Sequence, residues 1–196
     1  SLAMKADPER FDGTMQGKNL ALLFQKTSTR TRYSSEIGML QLGGQAVYLD
    51  WDVTNFGLAD LGDEIQVLSL YSDLMLIRLL KHADVLKATS ASRVPVMNGC
   101  CDRYHPLQGL ADIMTIKETV GRLDGIRLTY VGVRNNVCNS LVAAGVKVGM
   151  HVTAVTPEVN PAAVDETLYD EARRGGLFDE EDDLGAALAR SDVVYT

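Results

Sequence analysis

Residues 24–32 hold the densest group of side chains that could do chemistry. The last five residues of this segment are all polar, two of them are arginines, and the segment contains no glycine. They are Ser28, Thr29, Arg30, Thr31 and Arg32. Hydroxyl and guanidinium groups donate to phosphate oxygens, and a helix start adds free backbone N–H groups and the positive end of the helix dipole. The segment predicts a phosphate-binding helix start; an ordinary capped and solvated first turn is the alternative.

A second constellation is the run His105-Pro106-Leu107-Gln108. Proline is favoured at the first position of a helix, which places His105 at the cap and Gln108 on the same face three residues later. An imidazole can donate to a developing oxyanion, and an amide can donate or accept a hydrogen bond. The pattern predicts two ligand-binding side chains at one helix start, with a purely capping histidine as the alternative.

Polar side chains also stand where predicted strands end. Arg78 closes the apolar run 74–77, and Asn135 and Asn136 follow the strand pattern at 128–132. In open parallel sheets the carboxyl ends of strands line the ligand crevice, so Arg78 is a candidate ligand-binding cation. A surface ion pair is the alternative for Arg78. The paired asparagines either cap the following helix or hold a polar ligand, and capping is favoured.

Short apolar runs alternate with longer segments of helical spacing, which predicts parallel sheets covered by helices on both faces. Strands are expected at 19–24, 45–49, 74–78, 94–98, 127–131, 151–155 and 192–196, and helices at 29–41, 63–72, 83–91, 106–120, 136–148, 162–173 and 181–190. The pattern restarts after Gly121, so we expect an α/β fold of two doubly wound parallel-sheet domains, residues 1–121 and 122–196. Nothing follows the last predicted strand, and the second domain is therefore expected to be truncated.

The composition excludes several classes of protein. The 196 residues are 46% hydrophobic, enough for a packed core, and the net charge of -7 disfavours nucleic-acid binding, which needs a basic face. Cys100, Cys101 and Cys138 are too few and too badly spaced for a disulfide framework or a zinc site, which favours buried thiols. No apolar run approaches the roughly 18 residues of a membrane span, and no secretion signal opens the chain. We expect a cytoplasmic protein with no nucleic-acid or membrane partner.

In their order and spacing, the motifs at residues 28–32, at Arg78 and at residues 105–108 resemble the signature of the carbamoyltransferase family. The first motif alone would be moderately specific, whereas the ordered set is strongly specific. The resemblance extends over almost the whole chain. Three flanking segments are similar to the ornithine branch of the family. They are residues 24–26, 104–118 and 135–141. The aspartate branch typically lacks the paired asparagines of the third segment.

The resemblance implies transfer of the carbamoyl group of carbamoyl phosphate to the δ-amine of L-ornithine, giving citrulline and phosphate, with no metal and no organic cofactor. The residues implied for the phosphate are Ser28, Thr29, Arg30 and Thr31. Those implied for the carbamoyl group are Arg78, His105 and Gln108. Arg78 and His105 would act in catalysis by stabilising an oxyanion, and Asn136 would bind ornithine. Family members are commonly homotrimers in which a neighbour contributes a loop, here within residues 50–60 and including Asn55.

The chain departs from the family pattern at two positions. Asn55 stands where ornithine enzymes usually carry glutamine, and Val133 stands where the family usually has aspartate. The missing carboxylate leaves another amino acid or amine open as the acceptor. The Asp-x-x-x-Ser-Met-Gly and His-Cys-Leu-Pro segments of the family do not occur here, so a non-catalytic fragment that binds carbamoyl phosphate is a second alternative. A nucleotide-binding α/β protein is a third, although both glycine-rich fingerprints are missing.

Overall fold

The structure is a computed structural model that describes residues Ser1–Thr196. It divides into two compact units, a first unit Ser1–Cys101 and a second unit Asp102–Thr196. Each unit is built on a four-stranded sheet in which all strand pairs are parallel. Helices link the strands, because parallel neighbours need a crossover connection. The predicted α/β class with two parallel sheets is therefore confirmed.

The first unit alternates strands and helices along the chain. Its strands are β1 Asn19–Phe24, β2 Gln45–Asp50, β3 Leu74–Arg78 and β4 Val96–Asn98, and its helices are α1 Leu2–Ala6, α2 Thr29–Gln41, α3 Leu61–Ser69 and α4 His82–Ala91. Three short 3₁₀ turns lie at Glu9–Phe11, Trp51–Val53 and Asn55–Gly57. Strand β1 is buried from its second residue onward, which explains its uninterrupted apolar sequence.

The strand order of the first sheet indicates where a ligand crevice lies. The order is β2-β1-β3-β4, so the chain winds to one side after β1 and to the other side from β3 onward. Such a switch opens a crevice at the carboxyl ends of the two central strands. The register pairs Phe24, the last residue of β1, with Arg78, the last residue of β3. The loop before α2 and Arg78 therefore stand at the same edge of the sheet.

The second unit repeats the architecture with the order β7-β6-β5-β8. Its strands are β5 Arg127–Arg134, β6 His151–Val159, β7 Phe178–Glu180 and β8 Val193–Tyr195, and its helices are α5 Pro106–Val120, α6 Asn136–Lys147, α7 Glu166–Arg174 and α8 Leu184–Ala189. A 3₁₀ turn lies at Pro161–Ala163. Aromatic rings close the core: Tyr169 lies 5.0 Å from Phe178 and Tyr130 stacks on Tyr195 at 5.7 Å, measured between ring centroids.

Most element boundaries agree with the expected ones, but the region after residue 160 does not. Strand β7 was not predicted, because its three residues include two acidic ones and it lies at the edge of the sheet. A helix was expected at 181–190, with the acidic residues 179–183 at its start. Instead, the first two of these residues lie in β7, and Asp183 caps α8 by accepting a hydrogen bond from Ala186 N. None of the helices is both long enough and apolar enough to cross a membrane.

Helix α5 belongs to the second unit by its packing. Gly109 permits the close approach of α5 to α6, since a Cβ added there would lie 2.9 Å from the backbone oxygen of Ser140. The expected boundary after residue 121 would place α5 with the first sheet, and that domain division stays a prediction.

Candidate functional site

The start of α2 is open to a ligand. Its N-cap residue Ser28 is extended, with φ -160° and ψ 105°, and its side chain makes no capping hydrogen bond. The first N–H groups of a helix have no partner within the helix, so here they stay available to an anion. Arg30 is exposed and pairs with no acidic side chain. The structure thus brings the predicted side chains Ser28, Thr29, Arg30 and Thr31 together on one uncapped helix start.

Arg32 is directed differently from Arg30. Its Nε donates to Glu36 Oε1 at 3.1 Å, and its guanidinium lies 3.7 Å from the centre of the Tyr48 ring. Burial, and after it the charge of Asp50, raise the pKa of Tyr48, so its hydroxyl stays protonated at neutral pH. A cavity of about 480 Å³ opens beside these groups and the start of α2. Arg32 therefore shapes this cavity while it is held by Glu36 and Tyr48.

Arg78 stands at the carboxyl end of β3, as predicted, and the alternative, a surface ion pair, does not form. Its backbone oxygen accepts a hydrogen bond from Gln25 N at 2.9 Å, and Gln25 Oε1 accepts one from Leu80 N at 2.8 Å. These bonds fix the backbone on both sides of the residue. The Arg78 Nε is buried and has no hydrogen-bond partner in the protein. A buried donor without a partner is costly, which points to a polar ligand as its acceptor.

In the second unit, His105 and Gln108 share the start of α5. His105 is the N-cap residue and Pro106 follows it at the first helical position, as the sequence predicted. The His105 side chain does not cap the helix; its backbone N–H instead donates to Ser140 Oγ at 2.7 Å. The start of α5 is thus attached to α6 through the backbone, and the imidazole is not used as a cap.

Gln108 has a partner that the sequence analysis missed. Its Nε2 donates to Asp112 Oδ1 at 2.8 Å. Burial raises the pKa of Asp112, and the hydrogen bond from Gln108 opposes this effect. The spacing of Gln108 and Asp112 could have indicated this pair, because residues four apart are neighbours on a helix. Helix α5 also carries the buried Ile113 and Ile116. The carboxylate of Asp112, close in sequence to these buried residues, was the signal that could have predicted a partner for Gln108.

Asn135 and Asn136 take different positions at the start of α6. Asn135 is the N-cap of α6, and its Oδ1 accepts hydrogen bonds from Val137 N at 2.9 Å and Cys138 N at 3.1 Å. The favoured capping role is therefore correct for Asn135. Asn136, predicted to bind ornithine, is the first residue of α6. It thus stands beyond the carboxyl end of β5, where a ligand can be reached in a parallel sheet.

Asn55 and Val133, the two residues at which the chain departs from the family pattern, are both accessible to solvent. Asn55 is exposed and begins the 3₁₀ turn Asn55–Gly57, and its backbone oxygen accepts from Leu58 N and Ala59 N, each at 2.9 Å. Val133 is 38% exposed near the end of β5, two residues before the cap of α6. A contact of Asn55 with a neighbouring subunit stays a prediction.

Two parallel sheets, each with a switch in its strand order, define a protein of the doubly wound α/β class. At one edge of its first sheet lie an uncapped helix start and the buried, unpartnered Nε of Arg78. The family profile described as "Aspartate/ornithine carbamoyltransferase, carbamoyl-P binding domain" matches residues 1–118. The profile described as "Aspartate/ornithine carbamoyltransferase, Asp/Orn binding domain" matches residues 124–196. The chain belongs to the aspartate/ornithine carbamoyltransferase family.

Individual relatives agree with the profiles. An ornithine carbamoyltransferase of Bacillus thuringiensis subsp. konkukian is 44% identical over 186 residues, which cover 93% of this chain and 59% of the relative. The ornithine carbamoyltransferase of Pyrococcus furiosus matches 100% of this chain and 64% of its own, with a TM-score of 0.89 and 38% identity. An N-acetyl-L-ornithine transcarbamylase complexed with PALAO matches 99% of this chain and 68% of its own, with a TM-score of 0.84 and 28% identity. The chain thus spans 59% of the length of the Bacillus enzyme.

Proposed function

We propose that this chain is part of an ornithine carbamoyltransferase, which transfers the carbamoyl group of carbamoyl phosphate to the δ-amine of L-ornithine and releases citrulline and phosphate. The observation that carries the proposal is the uncapped start of α2 with its unpaired Arg30 at the carboxyl edge of the first sheet. Such a site suits a small phosphate ester. Residues 1–121 would form the carbamoyl-phosphate-binding domain and residues 122–196 part of the amino-acid-binding domain. The two family profiles, at 1–118 and 124–196, support this division.

Each predicted residue has a proposed role. The phosphate is held by Ser28, Thr29, Arg30 and Thr31. The carbamoyl group is bound by Arg78, His105 and Gln108. Asn136 binds the amino-acid end of ornithine. The orphaned Nε of Arg78 supports the second assignment, since a carbonyl oxygen that becomes an oxyanion would supply the acceptor it lacks.

The proposed reaction needs no group from outside the protein and its two substrates. The neutral δ-amine attacks the carbonyl carbon, and a new C–N bond forms as the carbonyl oxygen becomes an oxyanion. Arg78 and His105 stabilise this oxyanion by donating hydrogen bonds. The C–O bond to the phosphate then breaks, the carbonyl re-forms, and the amine nitrogen gives one proton to the departing phosphate. The phosphate-binding residues orient the donor and stabilise the charge of the leaving group.

Assembly and location are part of the same proposal. We expect a cytoplasmic homotrimer or larger homo-oligomer, in which a loop within residues 50–60 of one subunit reaches the site of its neighbour. Asn55 is the proposed contact, and its exposed position supports this role. The two most exposed of the large apolar side chains, Val53 at 83% and Leu58 at 87%, flank it and would be covered by such a neighbour.

A calorimetric titration of carbamoyl phosphate into the chain tests the donor site. Replacing Arg30 by alanine removes one charge-assisted phosphate contact, which should weaken binding by roughly ten- to a hundred-fold. Arg93→Ala is the matched control, because Arg93 is also exposed and makes no ion pair in the same unit. Equal affinities of the chain and the Arg30→Ala variant would contradict the proposed phosphate site.

A second candidate is a carbamoyltransferase for another amino acid or amine. Val133 favours it, because an exposed apolar side chain replaces the usual carboxylate near the amino-acid site. The similarity to an N-acetyl-L-ornithine transcarbamylase shows that a relative is named for a substituted amine. Radiolabelled carbamoyl phosphate should be offered to the full-length protein with ornithine, N-acetylornithine and other amines. Citrulline as the main product supports the first candidate; product from another amine alone supports the second.

A further inference from the structure

The amide of Gln108 has a fixed polarity. Its Nε2 donates to the carboxylate oxygen Asp112 Oδ1 at 2.8 Å, one helical turn further along α5. A carboxylate in this position accepts only the N–H end of the amide, because its ionised form has no hydrogen to give. The other end, Gln108 Oε1, consequently points away from Asp112, and no protein group donates to it. The helix therefore presents a carbonyl oxygen, a hydrogen-bond acceptor, at its start.

Apart from its hydrogen bond from Gln108, the carboxyl group of Asp112 has no partner in the protein. Its second oxygen, Oδ2, is buried and has no hydrogen-bond partner. No cation pairs with the carboxyl group, and its one hydrogen bond is donated by Gln108. Burial raises the pKa of Asp112, so the ionised form is destabilised by its surroundings. A carboxylate that costs stability and makes one bond to a predicted substrate-binding residue points to a functional use.

We propose that Asp112 is a positioning residue that sets the donor specificity of the site, by holding Gln108 Oε1 outward to accept the N–H of a carbamoyl group. This inference deepens the proposed function and rests on it. The chemistry distinguishes two kinds of acyl phosphate. Carbamoyl phosphate carries an NH₂ group that can donate to Oε1. Acetyl phosphate has nearly the same shape and charge, but its methyl group cannot donate and leaves Oε1 unpaired.

The selection follows from the cost of an unsatisfied polar group. A site built around a hydrogen bond rejects a ligand that lacks the partner more strongly than a site built on shape alone. If Gln108 could turn its amide, Nε2 would face the NH₂ of the ligand, donor against donor, and the discrimination would be lost. Asp112 prevents this turn from four residues away, without touching the ligand itself.

The test compares two ligands on the unmutated chain, four variants and one control variant by calorimetric titration at neutral pH. The ligands are carbamoyl phosphate and acetyl phosphate. The variants are Asp112→Ala, Asp112→Asn, Gln108→Ala and the double variant Gln108→Ala/Asp112→Ala. Asp182→Asn serves as the charge control, because Asp182 is an exposed carboxylate of the second unit with no hydrogen bond or ion pair. Circular dichroism checks that each variant is folded; should Asp112→Ala not fold, Asp112→Leu, which fills the space, replaces it.

We expect Asp112→Ala to weaken carbamoyl phosphate about ten-fold while acetyl phosphate changes by less than about two-fold. Asp112→Asn keeps an acceptor oxygen in one of its two amide orientations, so the affinity for carbamoyl phosphate should return to within about two-fold of the unmutated chain. The double variant should bind carbamoyl phosphate no more weakly than Gln108→Ala alone, because Asp112 acts through Gln108.

Four results would overturn the inference. Equal losses for both ligands in Asp112→Ala would show a structural role without donor selection. Additive losses in the double variant would show that Asp112 acts independently of Gln108. If the unmutated chain does not bind carbamoyl phosphate at all, the proposed function fails and the inference fails with it. If the chain binds carbamoyl phosphate equally well with and without Asp112, only the inference fails.

Discussion

Helices α2 and α6 occupy equivalent places in the two units, since each follows the first strand of its parallel sheet, yet their starts are built in opposite ways. The start of α2 is exposed, and its N-cap Ser28 makes no side-chain hydrogen bond. The start of α6 is closed by Asn135, whose Oδ1 accepts from two backbone N–H groups. The protein satisfies backbone N–H groups with its own side chain at the start of α6 but not at the start of α2, where we propose that a phosphate accepts from them.

The difference continues into the body of α6. Asn139 is completely buried, and its Nδ2 donates to the backbone oxygens of Arg103 at 2.9 Å and Ala163 at 2.7 Å. Its Oδ1 accepts from the Tyr169 hydroxyl at 2.7 Å. Helix α6 is thus tied to the segments on both sides of it, whereas Met39 is the one buried residue of α2. In our proposal, the start of α6 therefore contributes stability and the start of α2 binds the ligand.

The largest expected effect lies on the closed side of this comparison. Replacing Asn139 by alanine removes three hydrogen bonds. The backbone oxygens of Arg103 and Ala163 lose this donor, and the Tyr169 hydroxyl keeps only its contact with Cys138 Sγ at 3.5 Å, which should lower the free energy of unfolding by about 3 kcal/mol. Urea denaturation followed by circular dichroism measures it. Asn160→Ala is the control, because Asn160 is exposed and accepts a single bond from Ala162 N. Similar losses in both variants would remove the distinction between a buried network and an ordinary cap.

Thiol reactivity compares the two starts directly. Burial raises the pKa of Cys138, in the first turn of α6, to about 11, so almost no thiolate forms at pH 8. A cysteine placed at the open start by Ser28→Cys would gain from the helix dipole and should be alkylated by iodoacetamide at least about a hundred-fold faster than Cys138. Peptide mass spectrometry resolves the two sites. Comparable rates in the folded protein would mean that the start of α6 is as accessible as that of α2.

The cap itself should be worth about 1 kcal/mol on the closed side. Asn135→Ala removes the acceptor of Val137 N and Cys138 N and should lower the free energy of unfolding by about that amount. Asn135→Asp, which keeps an acceptor oxygen at the same place, should retain most of the stability. Chemical denaturation of the three proteins checks the order. A fully stable alanine variant would show that the cap does not stabilise α6.

The smallest effect is expected on the open side. Ser28→Ala should change the free energy of unfolding by less than about 0.5 kcal/mol, because the Ser28 side chain makes no capping hydrogen bond. The same substitution should weaken carbamoyl phosphate binding by a few-fold, since it removes one hydroxyl donor. Denaturation and calorimetry on one sample compare the two quantities. A large loss of stability with unchanged binding would reverse the roles assigned to the two starts.

Much of the fold was readable from local sequence. Strands β1 and β3 and helices α2 and α5 have the predicted bounds, because their apolar spacing, their flanking turns and the proline at 106 are all local signals. Strand β7 was missed, since three residues with two carboxylates become a strand only through pairing with β6. The same holds for the candidate site. The sequence located the motif residues, but it did not predict their hydrogen-bond partners.

The sequence by itself determined the α/β class, the family and the positions of the motifs at residues 28–32, at Arg78 and at residues 105–108. Each of these depends on residue type and spacing over fewer than about twenty residues, or on their order. Only the tertiary structure decided that Asn135 caps its helix while Ser28 does not, and that Arg78 Nε is left without a partner. It also decided which end of the Gln108 amide is presented. The reason is that hydrogen-bond satisfaction depends on geometry, and often on partners distant in the chain, which no local pattern specifies.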